Sequence, residues 1–118
     1  MKKNRLSKIR KKLIGNEDPD YLMDEIFTAL EKSIVNQPKV NKFYVFSYYA
    51  ITPNLLTDRY PLVGVTGVYD WGFTGINFHF NEYRNYNYNQ MGSPLYELRE
   101  SEIGDAGAIP FKRFFQKT

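Results

Sequence analysis

The chain has no cysteine and only one histidine, His79, in 118 residues. Disulfides, thiolate zinc sites and a cysteine nucleophile are therefore excluded, and a reducing compartment is allowed. Apolar runs stay well short of the about 18 residues that a membrane-crossing helix needs. The first residues are basic but carry no apolar h-region and no small-residue cleavage site, so they are not expected to act as a secretory signal. Catalytic signatures are missing as well: there is no Gly-x-Ser-x-Gly, no Walker loop and no dinucleotide-binding glycine fingerprint. His79 stands between Phe78 and Phe80, with Asp70 and Glu82 its nearest acidic candidates for a partner. A lone imidazole in that setting reads as structural or surface-facing rather than as a general base. No enzymatic activity, cofactor or metal is expected.

Acidic residues are also absent from the first twelve positions, where Lys2, Lys3, Arg5, Lys8, Arg10, Lys11 and Lys12 lie. The rest of the chain holds nine basic and thirteen acidic residues, so a basic arm over 1–16 precedes a mildly acidic body over 17–118. Leu6, Ile9 and Leu13 would share one face of a short helix over 2–14. Two readings of Lys8, Arg10, Lys11 and Lys12 stay open: contacts to nucleic-acid phosphates or another acidic partner, or a solvated terminus. Three aliphatic residues bury too little for membrane attachment.

What the chain does have is aromatic residues: ten Tyr, nine Phe and one Trp make up 17% of it. Aromatic side chains favour strands, and Tyr tolerates a half-wet surface. Residues 60–80 read as a hairpin. Leu62, Val63, Val65 and Val68 form one arm and Ile76, Phe78 and Phe80 the other, with Asp70, Trp71 and Gly72 as the turn. Gly64, Gly67 and Gly75 inside that pattern imply tight bending or close backbone approach, as in a small barrel.

Upstream, Asp18 is a good N-cap, Pro19 suits the first helical position, and Leu22, Ile26, Leu30 and Ile34 repeat at four-residue spacing, predicting a helix over 19–34. Residues 42–50 read as a strand apolar on both faces, hence covered on both. Pro61 fits the start of a strand. Residues 81–94, rich in Asn and Tyr, read as a long loop. There Tyr83, Arg84, Tyr86 and Tyr88 would stack bases, contact a protein, or pack back on the body. Residues 95–99 lean to strand over helix, and Phe111, Phe114 and Phe115 predict a last strand or anchor.

These strands carry a resemblance. The run through Phe43, Tyr44, Phe46 and Tyr48, then Asp58, Tyr60, Pro61, Leu62 and Val63, then Gly72, Phe73, Gly75, Ile76, Asn77 and His79, resembles small proteins of tailed bacteriophages, cyanophage-like contractile-tailed ones among them. Ile109, Pro110, Phe111, Lys112, Arg113 and Phe114 are similar too. The resemblance covers roughly residues 40–80 and the tail. It implies a small, SH3-like β-barrel and a viral setting, with no mechanism attached. The expected fold is α+β: one or two N-terminal helices packed on a strongly bent antiparallel barrel of about five strands. The expected function is a non-enzymatic phage structural or assembly protein, in the virion or the host cytoplasm. It would bind other phage proteins through the Tyr-rich loop and the arm, with homo-oligomers allowed. The alternative is a DNA- or RNA-binding accessory protein acting in phage DNA handling or transcription.

Overall fold

The computed structural model describes residues 19–49, 56–103 and 115–117. The basic arm, Phe111 and Phe114 lie outside them, as does the helix expected over 2–14. Helix α1 (Pro19–Ala29) leads into a 3-10 turn (Glu31–Ser33) and a short strand β1 (Ile34–Val35). Strands β2 (Phe43–Val45), β3 (Leu56–Asp58), β4 (Leu62–Val68), β5 (Gly72–Asn77), β6 (Glu82–Asn87), β7 (Leu95–Leu98) and β8 (Phe115–Lys117) come next. Six of them form one antiparallel sheet in the order β1-β7-β2-β4-β5-β6, and β3 pairs with β8 in a separate two-stranded ladder.

The helix is shorter than the spacing predicts. The Leu30 N–H is shared between the carbonyls of Ile26 (3.0 Å) and Phe27 (3.2 Å), and the chain tightens before turning extended at Ile34. Ile26 and Leu30 of the expected stripe are buried, as is Met23, but Ile34 is half-exposed and pairs with Tyr96 on β7. Two β-branched residues opposite a strand gain more from the sheet than from one more helical turn.

Strand β2 covers only Phe43–Val45 of the strand expected over 42–50, but the segment from Phe43 to Tyr48 is buried on both sides, as its composition implies. Val45 faces α1 in a cluster with Met23, Ile26, Leu30, Tyr60, Leu62 and Leu98. Tyr44, Phe46 and Tyr48 point the other way, into a second cluster with Val63, Val65, Phe73, Tyr86 and Leu95. This second core is an aromatic nest. Phe46 meets Phe73 and Tyr86 edge-on at 5.6 and 5.5 Å, and Tyr48 meets Tyr86 at 5.1 Å. Such edge-to-face contacts add about 1 kcal/mol each beyond the area they bury.

The sheet is not closed into a barrel, which corrects the SH3-like expectation. Closure would require β1 to pair with β6. Strand β1 has two residues, and the Asn87 N–H is already taken by the Tyr48 hydroxyl at 3.0 Å. Val35 on β1 and Tyr86 on β6 still pack in one cluster, so the sheet curls around its aromatic core without joining its ends.

The central hairpin is present as β4 and β5, with a bulge between Val65 and Gly67. Its turn differs from the expectation. Tyr69 and Gly72 exchange backbone hydrogen bonds around Asp70 and Trp71, neither of which has positive φ. Gly72 begins β5, where a Cβ would collide with the Tyr86 carbonyl. Gly75 meets the expectation of close approach: a Cβ there would run into Val63 and lie 2.6 Å from the Gly64 carbonyl oxygen.

Past this hairpin the chain departs from the expectation twice. Strand β5 ends at Asn77, so Phe78, His79 and Phe80 form a turn that Asn81 closes with φ 55°. Residues 82–87, expected as loop, form β6 along the whole of β5. Their alternating Tyr residues find a partner strand, and that outweighs the turn preference of Asn. Residues 95–98 are a strand, as expected.

Candidate functional site

Strand β6 separates the four residues grouped by the sequence. Side chains alternate across a strand, so Tyr83 and Tyr86 leave on opposite faces. Tyr86 is buried among Phe46, Tyr48 and Phe73, and its hydroxyl accepts a hydrogen bond from Asn77 Nδ2 at 3.0 Å. It is a core residue, which removes it as a base-stacking platform. Arg84 is committed locally: Nε and Nη2 reach Glu82 Oε2 at 3.1 and 2.7 Å, and the guanidinium lies 4.1 Å from the centre of the Phe80 ring. Tyr88 is half-buried, 6.1 Å from Phe73, and burial together with the Asp70 charge pushes its phenol up. Of the four, only Tyr83 is largely exposed, at 62%. Its hydroxyl accepts from Thr66 at 3.2 Å, and the hydroxyls of Thr66 and Thr74 hold its phenol below the usual tyrosine range. Lys8, Arg10, Lys11 and Lys12 lie outside the described residues.

Tyr83 belongs to a surface that the loop reading missed. In register across the sheet, Phe43 faces Gly64, Gly64 faces Ile76 and Ile76 faces Tyr83. Helix α1 packs over β2, β4 and β7; no described residue of β5 or β6 joins its cluster. The far half of the same face is therefore open, with Ile76, Phe78 and Tyr83 exposed and Phe43 half-buried. Gly64 supplies no side chain to this row, and the Phe43 and Phe78 rings, 5.9 Å apart, lean over it. Period-two reading of 82–87 is the signal that would have placed Tyr83 beside Ile76.

A second surface lies at the β4–β5 turn. Tyr69 and Trp71 stack with parallel rings, 5.3 Å between centroids and 1° between planes, while both stay exposed. Beside them a shallow cleft of about 400 Å³ is lined by Asn36, Gln37, Val68, Tyr69, Asp70 and Tyr88. Parallel aromatic faces and amide groups recognise partners by contact and hydrogen bonding.

His79 sits in the β5–β6 turn rather than in a strand, its backbone N–H donating to Asn77 Oδ1 at 2.8 Å. Among the described residues no three His, Cys, Asp or Glu side chains gather to hold a metal, and no helix is long and apolar enough to cross a membrane. No family model, no curated protein and no solved structure matches this chain.

Proposed function

We propose that this chain is a non-enzymatic structural or assembly protein of a tailed bacteriophage. It binds neighbouring subunits through the aromatic surfaces that a rigid sheet presents, and the basic arm adds a contact to an acidic neighbour. The observation that carries the reading is the exposed row of Ile76, Phe78 and Tyr83 on the sheet half that α1 leaves open. Contiguous exposed apolar surface of this kind, rich in aromatic residues, is characteristic of protein contact sites. The viral setting is supported by the resemblance of the 40–80 run and the tail to tailed-phage proteins.

Mass spectrometry of purified particles, with an infected-cell lysate as control, tests this. Stoichiometric presence in the particle supports the reading. Detection in the lysate alone removes it and leaves the nucleic-acid alternative. That alternative is favoured by the segregation of seven basic residues into the first twelve. In that case Lys8, Arg10, Lys11 and Lys12 changed together to Ala should weaken DNA or RNA binding and flatten its salt dependence.

A further inference from the structure

Among the described residues no strand pairs the outer side of β6, and the phase of its backbone can be read from three hydrogen bonds. Tyr88 N–H donates to the Trp71 carbonyl, Gly72 pairs with Tyr69, and Phe78 N–H donates to the Leu62 carbonyl. The backbones of Glu82, Arg84 and Tyr86 therefore face β5, and those of Tyr83, Asn85 and Asn87 face away from it. Asn87 N–H is taken by the Tyr48 hydroxyl. The outward backbone groups of Tyr83 and Asn85 have no partner among the described residues. The usual devices that blunt an edge, proline or a bulge, are missing from β6, whereas the opposite edge, β1, is only two residues long.

We propose that two copies of this chain join edge to edge through β6, antiparallel, about a two-fold axis at Tyr83. The pleat and the charges select this register. Facing residues share a face, so odd-numbered residues must oppose odd-numbered ones. With Arg84 opposite itself, two guanidinium groups meet. With Asn85 opposite itself, Tyr83 faces Asn87, whose N–H is occupied, and Glu82 and Arg84 find no opposite charge across the junction. With Tyr83 opposite itself, each Glu82 faces the other copy's Arg84. The existing 2.7 Å pair within each chain then becomes one of two in a ring of four alternating charges. The two Tyr83 residues exchange backbone hydrogen bonds, and their rings join the Ile76 and Phe78 surfaces of both copies into one stripe. A self-complementary patch of this kind is what a two-fold dimer requires. The inference rests on β6 alone and stands or falls independently of the particle assignment.

The full chain has no cysteine, so single-cysteine variants report the register directly. A hydrogen-bonded antiparallel pair sets Cα atoms about 5.5 Å apart, within disulfide range. Tyr83→Cys should therefore cross-link under mild oxidation and Asn85→Cys should not. Light scattering over a concentration series should show monomer passing to dimer. Arg84→Glu should weaken the dimer about tenfold or more, because like charges then meet twice. The double exchange Glu82→Arg with Arg84→Glu should restore it, which separates charge pairing from loss of folding. A wild-type chain that stays monomeric throughout, a dimer indifferent to Arg84→Glu, or cross-linking at Asn85→Cys in place of Tyr83→Cys overturns the proposal.

Discussion

The side-chain amide of Asn77 donates a 3.0 Å hydrogen bond to the hydroxyl of Tyr86, and both residues are buried. The same Asn77 accepts through Oδ1 from the backbone N–H groups of His79 (2.8 Å) and Phe80 (3.2 Å). One fully buried side chain thus ties the β5–β6 turn to the aromatic core. Asn77→Ala removes all three bonds and leaves polar groups unpaired, so it should cost about 3 kcal/mol. Tyr86→Phe loses the Asn77 bond and keeps the ring packing, and should cost about 1–2 kcal/mol. Urea denaturation of both variants checks the order. Equal costs would mean that the Oδ1 contacts contribute nothing.

Gly75 and Gly64 lie in neighbouring positions of the hairpin but should respond differently to alanine. At Gly75 the added carbon meets the Gly64 carbonyl at 2.6 Å as well as Val63. Backbone cannot move aside cheaply, so Gly75→Ala should cost about 3 kcal/mol or more. At Gly64 the neighbours are the Phe43 and Phe78 rings at 3.1–3.3 Å. The half-exposed Phe78 ring can shift, and Gly64→Ala should cost about 1 kcal/mol. Thermal melting of the two variants compares them.

Tyr44 and Tyr48 give the fold a defined alkaline limit. Burial pushes the Tyr44 phenol up; the Lys39 N–H opposes this, and the Glu97 carboxylate, which accepts from the hydroxyl at 3.4 Å, adds to the rise. Burial also raises Tyr48, against the Asn87 N–H. Both phenols are neutral in either state below the ordinary value of 10.0, where their contribution is fully present. Above it the unfolded chain loses protons that the folded chain keeps, so stability falls as pH rises through the folded values. Denaturation midpoints should be flat over about pH 7–9 and decline beyond about 10, less steeply in Tyr44→Phe. Tyr83 is displaced in the opposite direction and should ionise before Tyr44 and Tyr48 in a phenolate absorbance titration of the folded protein.

Legibility in the sequence depended on whether a segment's partner is local. The first arm of the β4–β5 hairpin could be read because its apolar residues are contiguous, but the second arm, expected through Phe80, is Gly72–Asn77. Strand β2 was readable because Tyr44, Val45 and Phe46 are apolar on both faces. The end of α1 was not: Ile34 fits the helical spacing, and only the distant Tyr96 decides that it joins a strand. Strand β6 was hidden by its asparagines, because the burial of Tyr86 comes from Phe46 and Phe73, far away in sequence. The four residues grouped by the sequence are therefore split by the fold. Tyr83 lies on an open surface, Tyr88 borders the cleft, and Tyr86 went to the core once β6 paired.

Trp71 separates contact from stability most cleanly. Its ring is 44% exposed and stacks in parallel on the Tyr69 ring, which is also exposed, so it contributes little to the core. Trp71→Ala should lower stability by no more than about 1 kcal/mol, the worth of one aromatic stack. If the proposed particle role holds and the turn is a contact surface, the same change removes a large aromatic anchor, the side-chain type that dominates interface energetics. The variant should then fold normally, with an unchanged circular dichroism spectrum, yet be depleted from particles when supplied in place of the wild type. Undiminished copy number in particles would show that the turn faces solvent there, and would leave the row of Ile76, Phe78 and Tyr83 as the proposed contact surface.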